Sequence, residues 1–307
     1  ISAVMNVTNI VTFQNSATLG TMQNTSASAI VSFYNAYTSN ITNYNGGGAL
    51  RSYSGSHINI ADLVQNGLYG SFIADSGHLE FHQDSSSWID LNGPVNILNN
   101  GIIDIYGGSV SCDIAYNGNV TFTMGSGSFN IKNRGINIPN NVNSCSFNIS
   151  GGTITTNGSF YDYRGNFNPT AGTLKFEGTA DASLNITSPS YIYNLLVNKP
   201  VTREIEEPLI GTDRDGNHVL TERSSTLYVN SVSIYGGITV EAANTVSIDG
   251  VCNMIGGGDI VVSNGVFRIN GTTLNASGNI DVDHSYFSLY PGSTLSIANN
   301  KTISIWA

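Results

Sequence analysis

Charge is scarce in this chain. Lys and Arg total 11 and Asp and Glu 21, so charged side chains make up 10% of the 307 residues, against about a quarter in an average globular protein. So few basic groups, with a net charge of −10, argue against a nucleic-acid partner, which needs a basic face. No run of about 18 apolar residues occurs, so no membrane-spanning helix is expected. Cysteine is sparse too. Cys112, Cys145 and Cys252 are odd in number and do not make a disulfide framework, so they read as small apolar wall residues. Helical spacing is also missing, because apolar residues never recur at that period over ten or more positions between breakers. Only residues 60–68, with Leu63, Val64 and Leu68, could form a short helical turn. The chain opens at Ile1 with neither Met nor a basic-then-apolar leader, which reads as a processed mature chain or a fragment.

What the chain has instead is a period. From Gly236-Gly237, steps of 21 residues land on Gly257-Gly258, Gly278-Asn279 and Asn299-Asn300. Glycine and asparagine enter the left-handed region most cheaply, so these pairs read as corners. Gly250, Gly271 and Gly292 mark a second corner. Val240, Val261, Val282 and Ile303 form one apolar column on the same stride, and Ile234, Ile255, Ala276 and Ile297 another. Between corners lie strand-like segments of three or four residues with alternating polarity. A corner chemistry and an apolar column that recur together mean one unit stacked on itself. Upstream, the same rhythm runs from Phe72 through Trp88–Leu91, Val95–Leu98, Ile102–Ile105, Val120–Phe122 and Phe147–Ile149, with corners such as Asn99–Gly101 and Gly151-Gly152. The expected fold is all-β: a single-stranded right-handed parallel β-helix with coils of about 21 residues. The expected divisions are less regular coils over 1–70, β-helix over 71–198, an insertion over 199–224 and regular coils over 225–307.

That insertion concentrates charge, with Glu204, Glu206, Glu207, Asp213, Arg214, Asp215, Glu222 and Arg223 close together. Two polar strands flank Asp213-Arg214-Asp215-Gly216-Asn217, a hairpin turn signal. The segment reads as a projecting β-hairpin, with Glu206, Asp213, Arg214 and Asp215 as candidate partner contacts. Asp213, Asp215 and Asn217 have calcium-loop spacing, but Gly216 and the missing twelfth-position Glu break that pattern.

Residues for chemistry are thin. The densest group is Asp259, Asp281, Asp283 and His284, with Arg268 one coil away; on a strict stride of 21 the acids do not stack. His57, His78, His82, His218 and His284 show no paired metal spacing. The Tyr34 and Tyr37 cluster, with Tyr44 and Tyr53, could stack sugars, although aromatics facing into a coil explain it as well. No nucleophile elbow or phosphate-cradling loop occurs. The chain is therefore expected to be non-catalytic, with no cofactor and no catalytic or metal residues. Both chain ends read as uncapped strands, which would stack end to end into a homopolymer. The candidate assembly residues are Val7, Ile10, Phe13, Ile303, Ile305 and Trp306.

Residues 147–198 carry a resemblance. Phe147-Asn148-Ile149-Ser150-Gly151-Gly152-Thr153-Ile154, then Asn168-Pro169-Thr170-Ala171-Gly172-Thr173-Leu174-Lys175-Phe176-Glu177-Gly178, then Tyr193-Asn194-Leu195-Leu196-Val197-Asn198 are similar to segments of large secreted right-handed parallel β-helix repeat proteins. These are adhesin-like surface proteins of Bacteroidota-like bacteria. The resemblance covers the middle and C-terminal half and transfers no functional residue. It implies an extracellular or cell-surface location and a structural or adhesive role, with surface polysaccharide as a partner class. The alternative is a carbohydrate-active β-helix, such as a polysaccharide lyase, a hydrolase or a tailspike-like depolymerase.

Overall fold

The computed structural model describes residues 4–7, 9–14, 18–24, 30–34, 39–46, 49–53, 56–63, 67–68, 71–82, 88–91, 95–106, 109–111, 120–132, 135–138, 145–187, 189–199, 202–204, 221–223, 226–229, 232–234, 236–241 and 244–306. They form a parallel β-solenoid with strands about 22 residues apart. The long wall starts at Val4–Val7. It passes through Thr18–Asn24, Ser39–Gly46, His57–Leu63, His78–His82, Ile102–Tyr106, Ser128–Ile131, Cys145–Thr156, Ala171–Phe176, Asn194–Val197, Ile238–Glu241, Ile260–Ser263 and Ile280–Asp283 to Ile303–Trp306. An early wall of Ile10–Phe13, Ile30–Phe33, Ala49–Ser52, Ser71–Asp75, Val95–Leu98 and Val120–Met124 merges with it through the 12-residue strand Cys145–Thr156. A side wall runs from Gly67–Leu68 to Tyr286–Leu289. A late wall of Val232–Ile234, Cys252–Met254, Thr273–Ala276 and Thr294–Ile297 then occupies the third side.

The core is made of columns rather than a globule. Each strand alternates inward and outward, and parallel register stacks the inward residues directly. One column is Ile58, Leu79, Ile103, Phe129, Ile154, Leu174, Leu195, Ile238, Ile260 and Ile280, all buried. Its neighbour runs Phe81, Ile105, Ile131, Thr156, Phe176, Val197, Val240, Val262 and Val282. Burial of each aliphatic or phenylalanine side chain in these columns contributes roughly 1.5–3 kcal/mol.

The expected period is right on average and slips locally. Successive coils step by 22, 20 and 23 residues, from Ile238 to Ile260, to Ile280 and to Ile303. A one-residue slip moves a side chain to the opposite face. Val261 therefore points outward, 36% exposed, and Val262 takes the inward place between Val240 and Val282. Ile303 lies on Ile280, and Ile305 continues the Val282 column. On the late wall Ile255 is exposed, and Met254 pairs with Ile234 in its stead. Of residues 60–68, where a helical turn was expected, the described ones are strand: Leu63 ends His57–Leu63 and Leu68 lies in Gly67–Leu68, while Val64 lies outside the described residues.

The corners divide into two kinds. Gly257 and Asn300 adopt left-handed φ of 80° and 65°. Gly258 and Gly278 are needed for room instead. A Cβ on Gly278 would stand 2.0 Å from the Gly258 carbonyl oxygen, and one on Gly258 would stand 2.1 Å from Gly236. Neighbouring coils touch backbone to backbone there.

The insertion departs from the wall as an antiparallel pair, Thr202 opposite Arg223 and Glu204 opposite Thr221. Its tip, with Glu206, Asp213, Arg214 and Asp215, lies outside the described residues. Beneath it the coil continues: Asn194–Val197 pairs with Ile238–Glu241, and Ala182–Ile186 with Thr226–Val229.

Candidate functional site

Outward positions of the long wall stack as strictly as the core. Leu79 and Phe81 are buried, so alternation turns His78, Glu80 and His82 to the outer face of one strand. The ladder then places His57 beside His78, and Glu80 between Asn59 and Asp104. The same register sets His82 beside Tyr106 and Asp104 beside Asn130. A patch of titratable side chains results, spread over three consecutive strands and flanked by Asn130 on a fourth.

The groups hold one another closely. The imidazoles of His57 and His78 stack with centroids 4.1 Å apart and planes within 8° of parallel. The rings of His82 and Tyr106 stack at 4.7 Å. Glu80 is gripped on both oxygens: His57 Nε2 lies 2.8 Å from Oε2, and His82 Nε2 lies 2.5 Å from Oε1. His78 Nε2 meets Asp104 Oδ2 at 3.1 Å, and Asn130 Nδ2 donates to Asp104 Oδ1 at 2.7 Å. Partial burial pushes both carboxyls towards the neutral form. The hydrogen bonds from His82 and His57 outweigh this at Glu80, and those from His78 and Asn130, with the charge of Lys132, do so at Asp104. Both carboxyls end below their ordinary range. Burial first, then the charges of Asp104 and Glu80, raises the Tyr106 phenol.

One donor atom each from His57, His78 and Glu80 lies within 4.8 Å of the other two. The four-residue spacing of His78 and His82 gives no metal pairing in a strand-rich region. The informative spacing was His57 to His78, one coil length.

The other candidates come together less well. Asp281 stands outward between Val261 and Ser304, and Asp283 between Ser263 and Trp306. His284 Nδ1 meets Asp283 Oδ1 at 2.7 Å on an exposed corner. Asp259 braces a corner, its Oδ1 accepting the Asn279 N–H at 2.6 Å. Arg268 lies on the side wall between Ser247 and Ser288, away from these acids. His218 lies outside the described residues.

Among the aromatics, Phe33 faces fully inward and stacks on Phe13 at 4.7 Å. Phe13 is thus tied to the next coil of the same chain. Tyr34 is exposed and stacks on Tyr53 at 4.2 Å, and Tyr161 stacks on Tyr163 at 5.5 Å. Tyr37 lies outside the described residues. Of the assembly candidates, Ile10 is 66% exposed, Ile303 42%, Ile305 63% and Trp306 62%; Val7 lies in the strand Val4–Val7. Cys252 is a buried wall residue whose thiol burial pushes up to about 12. Comparison with protein-family models, with curated proteins and with solved structures finds no match for the chain.

Proposed function

We propose that this chain is a non-catalytic, extracellular structural or adhesive β-helix, akin to the adhesin-like secreted repeat proteins that residues 147–198 resemble. The observation that carries the reading is the unbroken parallel ladder from Val4–Val7 to Ile303–Trp306. Such a wall transmits load along its axis and presents side chains at a fixed repeat of about 4.8 Å. A repeating surface of that kind suits a scaffold or a grip on a repeating polymer. Stacked pairs such as exposed Tyr34 on half-buried Tyr53 offer flat apolar faces to sugar rings. The hairpin tip, with Glu206, Asp213, Arg214 and Asp215, would serve contact away from the wall.

Assembly end to end belongs to the same proposal. Among the described residues, Val4–Val7 pairs on one side with Thr18–Asn24, and Ile303–Trp306 on one side with Ile280–Asp283. Both strands belong to the long wall. The first strand of a second copy, set against Ile303–Trp306, would continue that wall in parallel and cover Ile303 and Ile305. The contact is heterologous and does not close, so it gives a filament.

Negative-stain images and light scattering over a range of concentrations test this. Filaments are expected, lost in Ile305→Lys. Monodisperse single particles at every concentration would remove the assembly. A screen of acidic and neutral polysaccharides tests the rest. Turnover that disappears in Asp281→Ala or Asp283→Ala would replace this reading with the carbohydrate-active one.

A further inference from the structure

We infer that His57, His78 and Glu80 form a binding site for a divalent transition-metal ion that clips two neighbouring coils together. His57 belongs to the strand His57–Leu63, while His78 and Glu80 belong to His78–His82, its neighbour in the ladder. The three donor atoms already lie within 4.8 Å of one another. Ligands sharing one tetrahedral ion at bonds of about 2.0–2.2 Å stand roughly 3–3.5 Å apart. Side-chain rotation closes that gap, and the backbone, held by ladder pairing on both strands, need not move.

The donor chemistry selects the ion. Two imidazoles and one carboxylate suit Zn²⁺, Co²⁺, Ni²⁺ or Cu²⁺, whereas Ca²⁺ and Mg²⁺ take oxygen ligands throughout. Three protein ligands leave a tetrahedral ion one position for water. The surrounding groups steady the ligands, as outer partners do in metal sites. His82 holds the Glu80 oxygen that His57 does not. Asp104, itself fixed by Asn130, holds the ring of His78. The near-parallel stack of His57 on His78 keeps both imidazoles on the same side of the wall. Because the ion ties two coils, it binds the folded chain in preference to the unfolded one and raises its stability.

The test uses the full chain without a histidine tag, stripped with chelator. Co²⁺ titration followed by visible absorption, Zn²⁺ titration calorimetry and melting with and without Zn²⁺ are the readouts. One saturable equivalent is expected, with a tetrahedral Co²⁺ band, a higher melting temperature in Zn²⁺ and no competition from Ca²⁺ or Mg²⁺. His57→Ala, His78→Ala and Glu80→Gln should each abolish the band, and His82→Ala should weaken binding by about tenfold or more. His284→Ala, at an exposed histidine on a distant corner, should change nothing. Metal-free circular dichroism matching the parent shows that a silent variant is folded, and Glu80→Gln keeps the side-chain shape. No saturable binding by the parent would overturn the inference. So would unchanged binding in folded His57→Ala or Glu80→Gln.

Discussion

Val262 stacks on Val282 in the parallel ladder, and both side chains are completely buried. One residue earlier, Val261 stands against Asp281 on the outer face, where both meet water. Adjacent valines thus have opposite fates. An unpaired carboxylate at position 262 would be sealed between Val240 and Val282. At position 261 it would be solvated and would face one like charge. Val262→Asp should therefore unfold the C-terminal coils, because a buried unpaired charge costs more than these contacts supply. Val261→Asp should cost about 1 kcal/mol or less. Thermal melts of the two variants decide it, and equal losses would mean the register is wrong.

Gly278 is the second position where one atom matters. The carbonyl oxygen of Gly258 lies 2.0 Å from where its Cβ would be, and backbone cannot rotate away as a side chain can. Gly278→Ala should push two coils apart and lower stability by about 1–3 kcal/mol, the usual range for overpacking. At Gly257 a Cβ meets nothing within 4 Å, but φ is +80°. There alanine should cost about 1–2 kcal/mol through backbone strain alone. Urea midpoints for the pair separate crowding from strain, provided a Gly257→Asn variant recovers most of the second loss. No recovery with asparagine would show that strain is not the cause.

Lys199 gives the fold a pH dependence. It is 1% exposed, its Nζ donates to the Glu177 carbonyl at 3.1 Å, and its own N–H donates to Asn244 Oδ1 at 3.0 Å. Burial pushes the ammonium pKa down to about 8, and the nearby Asp181 pulls weakly the other way. The unfolded chain titrates this lysine near 10.4. Between those values the unfolded state binds more protons, so stability rises as pH rises. Below pH 8 the full penalty of at most about 3 kcal/mol is present. Lys199→Met should be the more stable protein at pH 7, and its advantage should shrink steadily up to pH 10.5. Denaturant midpoints measured for both proteins across that range check this. A constant difference between the curves would exclude the assignment.

Much of the architecture was legible because corners and core columns repeat together. Gly236, Gly258 and Gly278 mark the stacked turns, and Ile238, Ile260 and Ile280 the column beside them. What a fixed stride could not fix was phase. Coils of 22, 20 and 23 residues average just under 22, and the changing phase turned Val261 and Ile255 outward and moved Ile303 from the Val282 column to the Ile280 column. The charge contrast of residues 199–224 marked the hairpin, whose antiparallel base the structure describes. The His57–His78–Glu80 group was readable in principle. His57 is far from His78 and Glu80 by helical or loop spacing and adjacent to them only by coil spacing, so the group emerges once the 21-residue step from His57 is applied to side chains as well as to corners.

The last prediction concerns Asp162, which the sequence did not single out. It lies where the early wall ends and the chain crosses to Ala171–Phe176 with no strand on the third side. Its carboxylate is fully buried. Oδ1 accepts the N–H groups of Arg164 and Gly165 at 2.9 and 3.0 Å, and Oδ2 accepts the Phe167 N–H at 3.2 Å and the Ser190 hydroxyl at 2.5 Å. One side chain thus replaces the ladder that this crossing lacks. It also seats Phe167, whose ring plugs the core edge-on against Phe147 and Phe160. The Phe167 N–H also donates to Ser190 Oγ at 2.8 Å and keeps that acceptor, but Asp162→Ala would take the Asp162 acceptor from the Arg164 and Gly165 N–H groups and the Ser190 hydroxyl, at about 1–3 kcal/mol for each group left unsatisfied. A loss above about 3 kcal/mol is therefore expected, with faster tryptic cleavage after Arg164 as the loop loosens. Asp162→Asn keeps one acceptor oxygen and the shape, and should lose less on both measures. A stability within about 0.5 kcal/mol of the parent for Asp162→Ala, with unchanged cleavage, would show that Phe167 packing alone holds the crossing.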